Sequence, residues 1–175
     1  MPVPLAFGLP RVPFDAVIAI ERPGMAADGK YYTMTGRDIT NLVNAYDKKV
    51  FADDYPAVKI GIGDGGNEAG LGSLQESVRE HISNGEIIAS TTKADHALVA
   101  SVSNWGGYAL ALSLELLSGF QPSLNMTIEN AVADKIAQEG ICDGILQQPG
   151  ATVDGLDWKT HRKLVKDLIR IAKSL

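Results

Sequence analysis

The segment Asp64-Gly65-Gly66-Asn67-Glu68 places two carboxylates and an amide within five residues, with adjacent glycines between them. Such a set can bind a cation, carry a proton or hold an ammonium group, and the glycines admit close backbone approach or a positive φ. The bland alternative is a turn in which Asp64 and Asn67 bond their own backbone. The segment is no phosphate loop, because no Lys-Ser/Thr follows it. It also misses the dinucleotide fingerprint, because Asp64 would repel a pyrophosphate. Two further polar, Gly-containing segments follow short apolar runs. In Glu21-Arg22-Pro23-Gly24 the guanidinium could clamp a carboxylate in bidentate fashion, or pair with Glu21 or Asp64 to close the loop. In Ser103-Asn104-Trp105-Gly106-Gly107-Tyr108 two glycines fall in the first turn of an expected helix. Free N–H groups there favour an anion, although close helix–sheet packing also calls for glycine.

These residues need elements to hold them. Ala16-Val17-Ile18-Ala19-Ile20 and Val58-Lys59-Ile60-Gly61-Ile62 read as strands, the first buried on both faces. Ile87-Ile88-Ala89 and His96 to Val102 read as a third and a fourth. Thr35 to Asp38 resembles a capping box, and Ile39, Leu42, Val43, Tyr46 and Val50 behind it recur at helical spacing. Ser73-Leu74-Gln75-Glu76 is a second capping box, opening a helix that ends near Asn84-Gly85. Asn104 suits an N-cap for a buried helix through Ser118, stopped by Gly119. A helix from about Thr127 to Glu139 follows. The Pro149-Gly150 and Asp154-Gly155 pairs predict a hairpin or short strands between Ile141 and Asp157. The last helix puts Leu164, Val165, Leu168, Ile169 and Ala172 on one face. Asp28-Gly29-Lys30-Tyr31-Tyr32 reads as a surface turn, with a lid as the alternative. Strands alternating with helices predict an α/β fold of one domain over residues 1–175: three layers, a mainly parallel sheet with helices on both faces, Rossmann-like, and a C-terminal hairpin.

Composition narrows the function. With 45% apolar and 21% charged residues in a chain of 175, the protein has the make-up of a globular domain. A net charge of −5 argues against a nucleic-acid partner, which would need clustered Lys and Arg. The cationic face of the last helix (Lys159, Arg162, Lys163, Lys166, Arg170, Lys173) reads as solvated surface. The single cysteine, Cys142, forms no internal disulfide and is expected to be buried, in keeping with a reducing, cytoplasmic setting. No apolar stretch reaches the ~18 residues of a membrane span, and Met1 to Pro13 matches neither a signal nor a transit peptide. His81 and His161 are expected to face solvent and His96 to be structural. No zinc spacing and no G-x-S-x-G elbow occurs.

At its motifs the sequence resembles the C-terminal domain family of D-glutamate cyclase. The similar segments are Ile18 to Gly24, Ala27-Asp28-Gly29-x-Tyr31-Tyr32, Ile60 to Glu68, Val102 to Ala109 and Val153-Asp154-Gly155. The resemblance spans roughly residues 14 to 172. It implies a lyase that dehydrates D-glutamate to 5-oxo-D-proline by lactam formation. In that scheme Asp64 and Glu21 are the acid/base pair, and Glu68 holds the ammonium or, with Asp64, a divalent Mg or Mn ion. Arg22, Gly65, Gly66, Asn67, Asn104, Trp105, Gly106 and Gly107 form the substrate-binding set. Members of the family usually carry another α/β half upstream; with only a dozen residues before the first strand here, the resemblance implies either a short or truncated form, or a homo-oligomer or partner supplying that half. The other readings are a non-catalytic module for an amino acid or small carboxylate, a metal-dependent hydrolase using Asp64 and Glu68, and an interaction scaffold.

Overall fold

The computed structural model describes residues 14–175, so the expectation for Met1 to Pro13 lies outside the described residues. The chain divides into two compact units, the first ending at Leu98 and the second beginning at Val99. The fold class is α/β, as the alternation predicts. Strands β1 (Ala16–Ile20), β2 (Val58–Gly63) and β3 (His96–Val99) form a sheet in the order β1-β2-β3. β1 and β2 are parallel, in register from Ala16↔Val58 to Ile20↔Ile62. β1 is not buried on both faces: Ile18 and Ile20, two apart and so on one face, remain 43% and 47% exposed.

Between β1 and β2 the helical spacing does not produce the expected long helix. Only a 3-10 turn at Thr40–Leu42 and the short helix α1 (Asp47–Val50) form. Polar contacts outcompete the periodicity here. Asp38 accepts from its own Thr40 N–H at 2.9 Å, and Thr40 Oγ1 accepts from Tyr31 N–H. Buried Asp47 accepts from the Tyr31 hydroxyl at 2.6 Å, the Met25 N–H and the Thr92 hydroxyl. This pins Tyr31, and the 28–32 segment is a tight turn rather than a lid. Tyr31 and Tyr32 are buried, and the Tyr32 hydroxyl donates to Asp28.

Helix α2 (Gln75–His81) follows a 3-10 turn at Gly72–Leu74, without a side-chain cap from Ser73. Ile87-Ile88-Ala89 is not a strand. Asn84 takes a left-handed φ of 61°, and the carbonyls of Asn84 and Gly85 then close helix α3 (Gly85–Ile88). A three-residue apolar run is too short for its period to separate strand from buried helix. Ile88 packs with Ala26 and Tyr32 in the core of this unit.

The second unit holds α4 (Ser103–Leu117), α5 (Met126–Gln138), the antiparallel pair β4 (Thr152–Val153) and β5 (Leu156–Asp157), and α6 (Trp158–Ala172). Asn104 is not the cap of α4. The cap position is Val102, and Asn104 lies inside the first turn. Gly119 ends the helix at φ 75° as expected. α4 is not buried all round, since Leu114 and Leu117 are 49% and 86% exposed. The Asn125 side chain caps α5 by accepting from Thr127 and Ile128 N–H. Asp154 and Gly155 both take positive φ, the pair of left-handed residues a two-residue hairpin requires. Asp157 caps α6, whose Val165 and Ala172 are buried. Cys142 is exposed, not buried, because it lies on the surface loop after α5.

Candidate functional site

Parallel pairing in register brings the C-terminal ends of β1 and β2 to the same edge of the sheet, where open α/β folds bind ligands. Glu21 extends the ladder by donating its N–H to the Ile62 carbonyl at 3.0 Å, then turns away at φ 53°. The loops beyond the two strands are zipped together. Gly24 N–H meets the Asn67 carbonyl at 2.8 Å, Ala69 N–H meets the Arg22 carbonyl at 2.7 Å, and Pro23 bridges Glu68. Residues some 45 positions apart in sequence are thereby held side by side.

The result is a cluster of three acids. Glu21, Asp64 and Glu68 each present a carboxylate oxygen, all within 4.8 Å of one another. They are graded in depth: Glu21 is exposed, Asp64 half-buried and Glu68 only 2% exposed. Glu68 organises the loop. Its Oε1 accepts from Asp64 N–H at 3.1 Å and Gly65 N–H at 2.9 Å, and its Oε2 from Gly66 N–H at 2.7 Å. Two of the glycines answer to this geometry. A Cβ on Gly63 would stand 2.6 Å from the Glu68 carboxyl carbon, so only glycine lets the carboxylate cross beneath. Gly66 combines φ 89° with Val78 Cγ2 at 2.3 Å from a would-be Cβ.

Gly65, Gly66 and Asn67 are all buried. The N–H groups of the two glycines go to Glu68, and Asn67 Nδ2 donates to the Tyr32 carbonyl at 2.8 Å. Arg22 is half-buried and donates from Nη2 to the Asn44 carbonyl at 2.8 Å. Its guanidinium thus finds a backbone acceptor, a partner that sequence spacing does not disclose.

Asn104, Trp105, Gly106 and Gly107 lie in the second unit, on the first turns of α4. Asn104 is exposed, whereas Trp105 donates its indole N–H to His161 Nδ1 at 3.1 Å. His161 is not solvent-facing: it is 1% exposed, and its Nε2 contacts Glu129 Oε2 at 3.0 Å. The Tyr108 hydroxyl donates to the same oxygen at 3.0 Å, and Trp158 stacks on the imidazole at 4.6 Å. Burial, followed by the charge of Glu129 and the bond to it, pushes the Tyr108 phenol up to about 12. An indole N–H can only donate, so His161 Nδ1 is the acceptor and the ring proton sits on Nε2, facing Glu129. Sequence reasoning missed this constellation. The available signals were two aromatic residues three apart at Trp105 and Tyr108, and two more at Trp158 and His161. His81, by contrast, is exposed as expected.

An acid cluster on a glycine loop at the carboxyl edge of a parallel sheet is the candidate site of this α/β protein. The chain belongs to the D-glutamate cyclase-like, C-terminal family, whose model matches residues 6–169. A relative, the mitochondrial D-glutamate cyclase of Homo sapiens, is 36% identical over 191 residues. That alignment takes in 94% of this chain and 31% of the human protein, so the chain spans about a third of its relative's length. No helix among the described residues is long and apolar enough to cross a membrane.

Proposed function

We propose that the chain dehydrates D-glutamate to 5-oxo-D-proline. The observation that carries this reading is the meeting of Glu21, Asp64 and Glu68 within 4.8 Å, in a chain of this family. Cyclisation requires the α-nitrogen to attack the γ-carboxyl carbon. A C–N bond forms and a C–O bond breaks. The two protons lost by the ammonium leave on the departing oxygen as water, so the step needs proton transfer and no net acid or base. Half-buried Asp64 is the base that takes a proton from the ammonium. Exposed Glu21 is the acid that delivers one to the γ-oxygen. Glu68 draws the ammonium toward the pair and keeps the Asp64 loop in place. Arg22 receives a substrate carboxylate.

Three oxygen donors this close also suit a hard divalent cation, Mg or Mn, which would neutralise the γ-carboxylate. A strong chelator that abolishes turnover, with recovery on adding back the metal, supports that form. The lone, unpaired cysteine supports a reducing, cytoplasmic setting.

The test is 5-oxoproline formed from D-glutamate by the parent and by Asp64→Asn. The reading expects a loss of at least a hundredfold, the usual scale for removing a general base. A variant running at the parent rate would remove Asp64 from the chemistry.

A further inference from the structure

The cyclisation draws on the first unit, whereas the positive charge of the second unit is gathered on α6. Lys159, Arg162, Lys163 and Lys166 stand at i, i+3, i+4 and i+7, so they share one side of the helix, while His161, Val165 and Ala172 are buried. In a protein of net charge −5 such a stripe attracts anions locally. It is not a plain solvated face. Together with Trp158, the four cations line a cavity of about 610 Å³, within the range of small-molecule sites.

The cations are not taken up by the protein itself. Among the described residues Arg162, Lys163 and Lys166 make no ion pair, while Arg170 further along the helix pairs with Asp167. The Nε of Arg162 is buried and has no hydrogen-bond acceptor among the described residues, an unfavourable state for a charged donor. The acid at this end of the helix, Asp157, accepts from the Thr160 N–H at 2.7 Å. Trp158 stacks on the His161 imidazole at 4.6 Å, and the rest of its surface lines the cavity.

We infer that this cavity binds a nucleoside di- or triphosphate. Arg162, Lys163 and Lys166 take the phosphate oxygens, the guanidinium through its planar fork, with Lys159 beside them. A phosphate chain alone leaves room that a sugar and base occupy, and the indole offers the base an aromatic surface. The site belongs to the second unit alone and does not depend on the cyclase reading.

The experiment is calorimetry on the full chain in EDTA at low salt, with ATP and inorganic tripolyphosphate as probes and melting temperature read alongside. The proteins are the parent, Arg162→Ala, Lys163→Ala, Trp158→Leu and Lys135→Ala. ATP is expected to bind the parent and raise its melting temperature. Arg162→Ala and Lys163→Ala should each raise Kd about tenfold, the scale of one charge-assisted hydrogen bond. Trp158→Leu should weaken ATP about fivefold or more and leave tripolyphosphate unchanged. Lys135→Ala removes the same charge from α5, outside the cavity, and should bind as the parent does. A parent chain that binds no ATP up to millimolar concentration overturns the inference. So does tripolyphosphate bound as tightly as ATP, or a loss in Lys135→Ala equal to that in Arg162→Ala, which shows diffuse charge. A short DNA duplex held more tightly than ATP, and released by the same α6 substitutions, also overturns it and makes the stripe a nucleic-acid surface. Should Trp158→Leu fail to fold for want of its stack on His161, the comparison of the two probes on the parent decides.

Discussion

Replacing Glu68 by Gln separates loop architecture from chemistry at a single atom. The carboxylate accepts two N–H bonds on Oε1 and one on Oε2. An amide has one oxygen. In its better orientation that oxygen keeps the Asp64 and Gly65 donors, and the NH2 group then faces the Gly66 N–H, which was 2.7 Å from its acceptor. Gly66 is buried, so that donor gains no water in exchange. An orphaned buried donor costs about 1–3 kcal/mol. For a chain of this size each kcal/mol moves the melting temperature by roughly 2–4 °C, which puts the expected fall near 4–8 °C for a cost of about 2 kcal/mol. Glu68→Ala removes all three acceptors and should fall further. Circular dichroism melts with 5-oxoproline assays on the same samples make the measurement. A Glu68→Gln chain that melts with the parent would refute the assignment of Glu68 as the loop's internal anchor.

Other outcomes follow from the same contacts. Gly66→Ala combines a disfavoured φ with a side chain driven into Val78, and should destabilise by about 2 kcal/mol or more, read as a lowered midpoint in urea. Asp143 accepts from the N–H groups of Leu146, Gly155 and Ile145 and from the Thr152 hydroxyl. The backbone donors at Leu146 and Gly155 do most to hold its carboxyl down at about 2. Because the folded value is depressed, this stabilisation is fully present above the ordinary carboxylate range and is lost as pH falls from about 4 toward 2. Asp143→Ala should flatten that acid-side loss in a melt-versus-pH series. An unchanged acid limb would show that other groups govern it.

The sequence disclosed elements wherever local chemistry and tertiary contacts agree. β1, β2, the Asn125-capped α5, the Asp154-Gly155 hairpin and α6 all carry their own start or stop signals. It misled where distant polar partners take over. The stripe from Ile39 to Val50 looks helical, but Asp47 is claimed by Tyr31, Met25 and Thr92, and Asp38 by Thr40. The acids of the candidate site were legible because Glu21 and Asp64 directly follow strands and Glu68 lies in the loop after the second, and parallel strands in register put such residues at one edge. The internal use of Glu68, the Arg22–Asn44 contact and the burial of His161 were not legible. Arg22 and His161 depend on partners more than twenty residues away, and Glu68 on neighbouring N–H groups that only the folded loop turns toward it. The lysine- and arginine-rich surroundings of His161 also pointed to solvent.

Chiral analysis of the product made from D-glutamate tests the central claim most directly, with binding of D-glutamate followed by calorimetry on the same preparation. The account predicts 5-oxo-D-proline from the parent chain, with formation lost in Asp64→Asn and Glu21→Gln although both stay folded. Heat of binding without any 5-oxoproline would contradict it and leave a small-carboxylate binding module in its place.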